Sequence, residues 1–167
     1  MDVSEDFRAF VVARQRSLLQ TAWLLTGDWA TSEDLVQAAL SRAWPRWERI
    51  SKMEAPEAYV RRIMVNRALD WRHRRWSGEQ PTAWLPEALA EADDVELRFA
   101  LLVAVQALPR RQRAVIALRY FNDMSEADTA IAMSCSRGTV KSQLSKGLAT
   151  LRRDPVLSGL TLHGSTT

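Results

Sequence analysis

The stretch from Leu108 to Arg153, LPRRQRAVIALRYFNDMSEADTAIAMSCSRGTVKSQLSKGLATLRR, constrains this chain more than any other, because its punctuation allows only short helices separated by tight breaks. Pro109 suits the first turn of a helix, where no partner is needed for its missing N–H. Asn122-Asp123 break that helix. Ser125 and Asp128 have the spacing of a capping box, a hydroxyl and a carboxylate three residues on, so a new short helix is expected to begin there and end near Met133. Ser134-Cys135-Ser136 make a turn, and Ser136 can cap the next helix. Val140, Leu144, Leu148 and Leu151 then recur at spacings of four, four and three, which gives one buried stripe. Helices joined by a tight turn, the last one amphipathic and basic, have the layout of a DNA-reading helix-turn-helix.

On a wheel of about 100° per residue, the side opposite that stripe carries Thr139, Ser142, Ser145, Lys146 and Ala149, with Lys141 and Gln143 on its flanks. None of these is acidic. A helix entering the major groove needs small residues at its N-terminal end, hydroxyls and amides for base edges, and cations for phosphates. Gly138, Thr139, Lys141, Ser142, Gln143 and Lys146 meet that description. The plainer alternative, a solvated amphipathic helix, leaves the capped turn in front of it without a purpose.

With 167 residues and 47% of them hydrophobic, the chain can bury the core of one ordinary domain or two small ones. Its longest apolar run, Phe99 to Leu108, is interrupted by Gln106 and falls far short of the roughly 18 residues a membrane span requires. Asp2, Glu5 and Asp6 precede any apolar run, so no export signal is read and a cytoplasmic protein without membrane insertion is expected. Cys135 is the only cysteine and reads as a small buried residue of the turn rather than a redox sensor. His73 and His163 are isolated, no glycine loop can cradle a phosphate, and Cys135 has no evident base. No catalytic residue, metal site or cofactor is therefore expected, and the chain does not read as an enzyme.

The formal net charge of +3 conceals a blocked pattern. Residues 1–58 hold seven Lys and Arg against nine Asp and Glu, residues 59–76 six against one, and residues 77–100 one against six. Residues 137–153 hold five cations and no acid. Two basic blocks, one in each half and each on an expected helix, suggest two contacts with one polyanion.

The halves are separated by RRWSGEQPTAWLPEALAEADDVE, where Ser77-Gly78, Pro81 and Pro86 obstruct a helix and an acidic run comes after. We read residues 77–94 as a linker, with Trp84 as a candidate docking anchor. Upstream, a first helix covers about Glu5 to Thr26 and stops at Gly27. A second starts after Thr31 or Ser32 as cap, burying Leu35, Val36, Ala39, Leu40, Ala43 and Trp44 and leaving Glu33, Asp34, Gln37, Ser41 and Arg42 outside, with Pro45 to end or kink it. In the third, from Pro56, Tyr59, Val60, Ile63, Met64, Ala68 and Trp71 supply the buried side, while Arg61, Arg62, Asn66, Arg72, His73, Arg74 and Arg75 face solvent or nucleic acid. Aromatic residues beside arginines suit unpaired bases, whose faces can stack. The tail from Pro155 to Thr167 is expected to be disordered. The fold class is all-α.

The runs SEDLVQAALSRAWPRW, PEAYVRRIMVNRALDWRHRR and ALPRRQRAVIALRYFNDMSEADTAIAMSCSRGTVKSQLSKGLATLR, in this order and spacing, closely resemble the extracytoplasmic-function (ECF) sigma factors of the sigma-70 family, of the actinobacterial type. The resemblance covers about Phe7 to Arg153. It implies two small helical domains: region 2 over residues 1–76 and region 4 over residues 95–153, with the linker between and a tail over residues 154–167. It implies that the first half binds core RNA polymerase through Asp34, Gln37 and Arg42. It further implies that the third helix opens and holds the minus-10 promoter element as single strand. There Asn66 matches the residue that holds a flipped base, and Arg61, Arg62, Trp71, Arg72, Arg74 and Arg75 match the surrounding DNA surface. Lys141, Ser142, Ser145 and Lys146 match positions that read the minus-35 element as duplex, with Arg137 and Thr139 near the backbone. Promoter DNA, core polymerase and an anti-sigma factor are the partners implied. Against this stand a self-sufficient repressor or activator, for which the first half shows no ligand-pocket or phosphoacceptor signature, and the enzyme already set aside.

Overall fold

A computed structural model describes residues 2–70 and 95–163, and every regular element in it is helical. The first, α1 (Val3–Thr26), ends at Gly27, whose φ of 74° is the left-handed conformation that commonly closes a helix and that glycine adopts without penalty. The next, α2 (Trp29–Ala43), is capped by Asp28 and not by Thr31 or Ser32. The Asp28 carboxylate accepts hydrogen bonds from the Thr31 N–H at 2.8 Å and from the Thr31 hydroxyl at 2.5 Å. Ser32 is buried instead, its hydroxyl bonded to the Asp28 carbonyl and to the Thr26 hydroxyl, both at 2.6 Å.

Pro45 acts as expected of it. It lies in a 3-10 turn (Trp44–Arg46) that separates α2 from the short α3 (Trp47–Ile50). The change of path decides which way two tryptophans face. Trp44, expected inside, is 44% exposed and only flanks Phe7, whereas Trp47 is 2% exposed between Phe7 and Phe10 and donates its Nε1–H to the Asp6 carboxylate at 2.9 Å. Pro56 opens α4 (Pro56–Asp70), which buries Val60, Met64 and Val65. Val65 lies outside the one-sided stripe read from sequence because α4 is covered on two sides, by α1 and α2 and by a helix of the second half.

The second half begins with α5 (Val95–Gln106), turns at Leu108-Pro109, and continues as α6 (Arg110–Ile116). Pro109 takes the position just before that helix rather than its first turn. From Ala117 to Phe121 the helix widens to π geometry, and the Asn122 N–H reaches back to the Ala117 carbonyl at 3.1 Å. Asp123, at φ 50°, completes the break. Then come α7 (Glu126–Ala132) and α8 (Arg137–Arg152), each with the serine cap read from sequence. Residues Pro155 to His163, expected to be disordered, form α9: the Asp154 carboxylate accepts from the N–H groups of Val156 and Leu157, Pro155 fits the first turn, and the helix packs on α5.

The two halves share their interior. One apolar cluster runs from Leu18, Leu35, Trp47 and Met64 to Val115, Leu118, Met133 and Val140. A second joins Trp23 and Leu24 of α1 to Leu102 of α5 and Ala117. Trp47 is the largest fully buried side chain among the described residues, so Trp47→Ala should cost about 3–5 kcal/mol of unfolding free energy in chemical denaturation. Trp47→Phe, which keeps a ring but loses the bond to Asp6, should cost clearly less.

Candidate nucleic-acid interface

In the second half the turn that sets the angle between α7 and α8 is held by backbone and caps. Ser134 adopts φ 52°, the Cys135 N–H bonds the Ala130 carbonyl at 3.0 Å, and the Ser136 hydroxyl accepts from the Thr139 N–H at 3.1 Å. On the other helix, Ser125 accepts from the Asp128 N–H at 3.0 Å and donates to its carboxylate at 2.7 Å. The inner side of α8 closes tightly on α6: a Cβ at Gly147 would lie 2.8 Å from Ile116 Cδ1. Only glycine permits that approach without a shift.

The inner stripe of α8 is seated by Val140, fully buried, with Leu144, Leu148 and Leu151 half-buried. Its outer side exposes Arg137, Lys141, Ser142, Ser145 and Lys146, while Thr139 is half-buried and shares a 3.0 Å hydrogen bond with the Ser136 hydroxyl. Glu126, which no sequence motif singles out, lies beside this face. Its carboxylate takes the Arg137 Nε–H at 3.0 Å and lies 3.8 Å from the Lys141 ammonium. The signal for it is geometric: in a helix-turn-helix the first turns of both helices lie near each other, which brings the acid of one to the cations of the other. Such a surface exposes hydroxyls, cations and small residues together, the groups used against base edges and phosphates.

In the first half, Glu33, Asp34, Gln37, Ser41 and Arg42 form an exposed polar face on α2, opposite the buried Leu35, Val36, Ala39, Leu40 and Ala43. On α4 the expected DNA surface divides. Arg62 is exposed. Arg61 turns inward, its side chain 12% exposed, donating to Glu57 at 2.5 Å and to the Ser17 hydroxyl at 2.6 Å, with Arg14 on the other Glu57 oxygen at 3.3 Å. Burial lowers the Arg61 pKa from its ordinary value and the neighbouring Arg14 adds to this, while Glu57 opposes both. In this arrangement Arg61 ties α4 to α1 instead of presenting its charge outward. Asn66 is half-buried, and its Oδ1 accepts a 3.3 Å hydrogen bond from the Ser134 hydroxyl in the helix-turn-helix turn. Trp71, Arg72, Arg74 and Arg75, together with Trp84, lie outside the described residues. Among the described residues no group of three His, Cys, Asp or Glu could hold a metal ion, and no helix is long and apolar enough to cross a membrane.

Comparison with known proteins adds an independent line. Residues 10–78 match the family model for sigma-70 region 2 and residues 98–151 that for sigma-70 region 4. The RNA polymerase sigma-E factor of Streptomyces coelicolor is 40% identical over 157 residues, which covers 93% of this chain and 89% of the relative. The ECF RNA polymerase sigma factor SigL of Mycobacterium tuberculosis is 32% identical over 143 residues, 81% of this chain and 80% of that protein. Among solved structures, the sigma factor RpoE of Bartonella quintana, crystallised in complex with the anti-sigma factor NepR, shares the fold with a TM-score of 0.69 at 23% identity, over 92% of this chain and 98% of that one. A second, CnrH in complex with the cytosolic domain of CnrY, gives 0.60 at 21% identity over 98% of this chain and 91% of that one. With both regions in order and relatives matched along nearly their whole length, the chain belongs to the sigma-70 family as an RNA polymerase sigma factor of the extracytoplasmic-function group.

Proposed function

We propose that this sigma factor divides promoter recognition between its halves, and that the outer face of α8 carries the reading of the minus-35 element as duplex. The observation that supports this is the exposure on one side of α8 of Arg137, Lys141, Ser142, Ser145 and Lys146. Arg137 and Thr139 lie at its N-terminal end, where the phosphate backbone would pass. Asp34, Gln37 and Arg42 on α2 form the contact with core RNA polymerase. The α4 surface, with Arg62 and Asn66 and the basic residues beyond it, takes the minus-10 element once it is single-stranded. The functional unit is then a cytoplasmic initiation factor without catalysis, metal or cofactor of its own. Its partners are core polymerase, promoter DNA and an anti-sigma factor, the last suggested by the complex in which the neighbour RpoE was crystallised with the anti-sigma factor NepR. Region 2 ends near residue 76 and region 4 begins near residue 95.

Three measurements test the parts separately. Replacing Asp34 and Gln37 with alanine should leave the fold intact, since both are exposed, yet weaken co-elution with core polymerase. Unchanged co-elution removes α2 from the polymerase contact. Lys146→Ala should weaken minus-35 duplex binding by roughly 1–3 kcal/mol if the ammonium meets a base, and lower the salt slope by about one if it meets a phosphate. Wild-type affinity at every salt concentration would withdraw the assignment of the reading face. Asn66→Ala should spare polymerase and duplex binding while slowing open-complex formation, because extruding a base costs a few kcal/mol that hydrogen bonds to its edge must return. Permanganate footprinting on duplex and on preopened promoter decides it, and normal melting and initiation on both ends the base-pocket role.

A further inference from the structure

We infer that the corner between α2 and α3 is a second, sequence-tolerant seat for an unpaired DNA strand, in which Trp44 stacks on a base while Arg46 and Arg49 hold phosphates beside it. The corner is concealed in the charge pattern. Residues 1–58 carry more acid than base, yet residues 41–53 hold four of their seven cations, Arg42, Arg46, Arg49 and Lys52, against Glu48 alone. All four are exposed. Lys52 pairs with Glu48 at 3.3 Å, while among the described residues no carboxylate is matched to Arg46 or Arg49.

The fold gathers these groups around an opening. Pro45, Arg46, Glu48, Arg49 and Lys52 line an open cleft of about 300 Å³. Pro45 imposes the 3-10 turn Trp44–Arg46, and that turn leaves Trp44 44% exposed while Trp47 takes the interior. The Trp44 ring rests on Phe7, with centroids 5.0 Å apart and planes tilted by 52°, so protein holds one part of the indole and solvent meets the rest. A ring already fixed in this way loses little further freedom when a base arrives. Cations beside an open aromatic are the combination that binds single strands, since every base has a π-face and every nucleotide a phosphate. A duplex keeps its bases stacked inside and offers such a corner phosphates only.

The corner also lies within reach of a strand held on α4. Residues 51–55 join Ile50, the end of α3, to Pro56, the start of α4, so chain length keeps those two helix ends within about 22 Å of each other. A handful of nucleotides covers that distance. The corner itself packs chiefly on α1 and α2. The inference rests on the reading that region 2 takes a single strand, and it adds residues which that reading does not use.

Anisotropy of fluorescein-labelled oligo-dT, titrated with the full-length chain over a series of KCl concentrations, tests the seat. Replacing Arg46 and Arg49 together by glutamine should lower the slope of log affinity against log salt by about 1.4, since each phosphate contact on a single strand contributes about 0.7. Trp44→Ala should weaken binding between about fivefold and a hundredfold with the slope unchanged, and Trp44→Phe should recover most of the loss. Duplex of the same length should be indifferent to Trp44→Ala. Oligo-dT carrying 5-iododeoxyuridine should, on irradiation, crosslink to a peptide that contains Trp44, identified by mass spectrometry. Circular dichroism checks that each variant is folded, and if Trp44→Ala is not, Trp44→Phe and the arginine pair still decide. No binding of oligo-dT by the wild type at low salt, an unchanged slope in the arginine variant, equal losses on duplex and single strand in Trp44→Ala, or crosslinks confined to residues outside 42–53 would overturn the seat. Arg62→Gln and Asn66→Ala, measured alongside, keep the two readings apart. Losses in these two with none at the corner discard the corner and retain α4, and the reverse retains the corner.

Discussion

Burial of the last two turns of α1 is the constraint on which both halves depend. From Thr21 to Thr26 every residue is buried, so this part of the helix has no face to offer to water. A helix apolar all round must be surrounded, and here the surroundings come from both halves. Leu18, Ala22 and Leu25 face the cluster built with α2 and α4, whereas Trp23 and Leu24 face Leu102 and Ala117. Either half on its own would leave one of these sides exposed. The polar end obeys the same logic: the Trp23 carbonyl, which also accepts from the Gly27 N–H, and the carbonyls of Leu24 and Leu25 are met by Gln106 and Arg113.

The exposed faces of α8 and α4 are hung on this interior by different means. In region 4 the seat of α8 is set by two serine caps, a left-handed Ser134 and the glycine approach at Gly147, all short-range and stiff. Region 2 positions α4 by contacts on two sides, and the buried Arg61 with Glu57 and Ser17 fixes its rotation. An arginine so placed acts on α4 through geometry. It determines where Arg62 and Asn66 stand.

The features legible in the sequence are those decided locally. The serine caps before α7 and α8, the stop at Gly27, the alternation of faces on α2 and the break at Pro45 are short-range choices, and each is readable from a few neighbours. The start of α2 is not, because three capping residues fall within five positions. Their local energies are similar, and the choice of Asp28 comes from tertiary contacts: Trp29 must reach the Trp23 and Leu24 cluster, which draws the helix start upstream. Trp44, expected inside, lies outside while Trp47 is buried, because a 3-10 turn shifts the angular positions along this stretch. The tail helix has a local signal, Asp154-Pro155 before an apolar run, whose weight depends on α5 being there to receive it. Of the site, the outer face of α8 and the polar face of α2 are readable by wheel. The inward turn of Arg61 is not: its pairing with Glu57 has ordinary helical spacing, but Ser17 and Arg14 arrive from 40 or more residues away.

The position of Glu126 changes what the cations beside it mean for binding. Arg137 and Lys141 already face one carboxylate, so a phosphate that reaches them must displace Glu126, and the freed carboxylate then draws in small cations that offset part of those released from the DNA. When a phosphate replaces Glu126, much of the exchange is internal, one anion for another. The ionic-strength dependence of duplex binding then falls below what a count of basic residues on α8 implies. Random duplex, attracted mainly by net positive charge, loses the most from this arrangement. On the reading proposed for α8, an acid placed among its cations weakens the attraction common to all sequences and so sharpens selectivity.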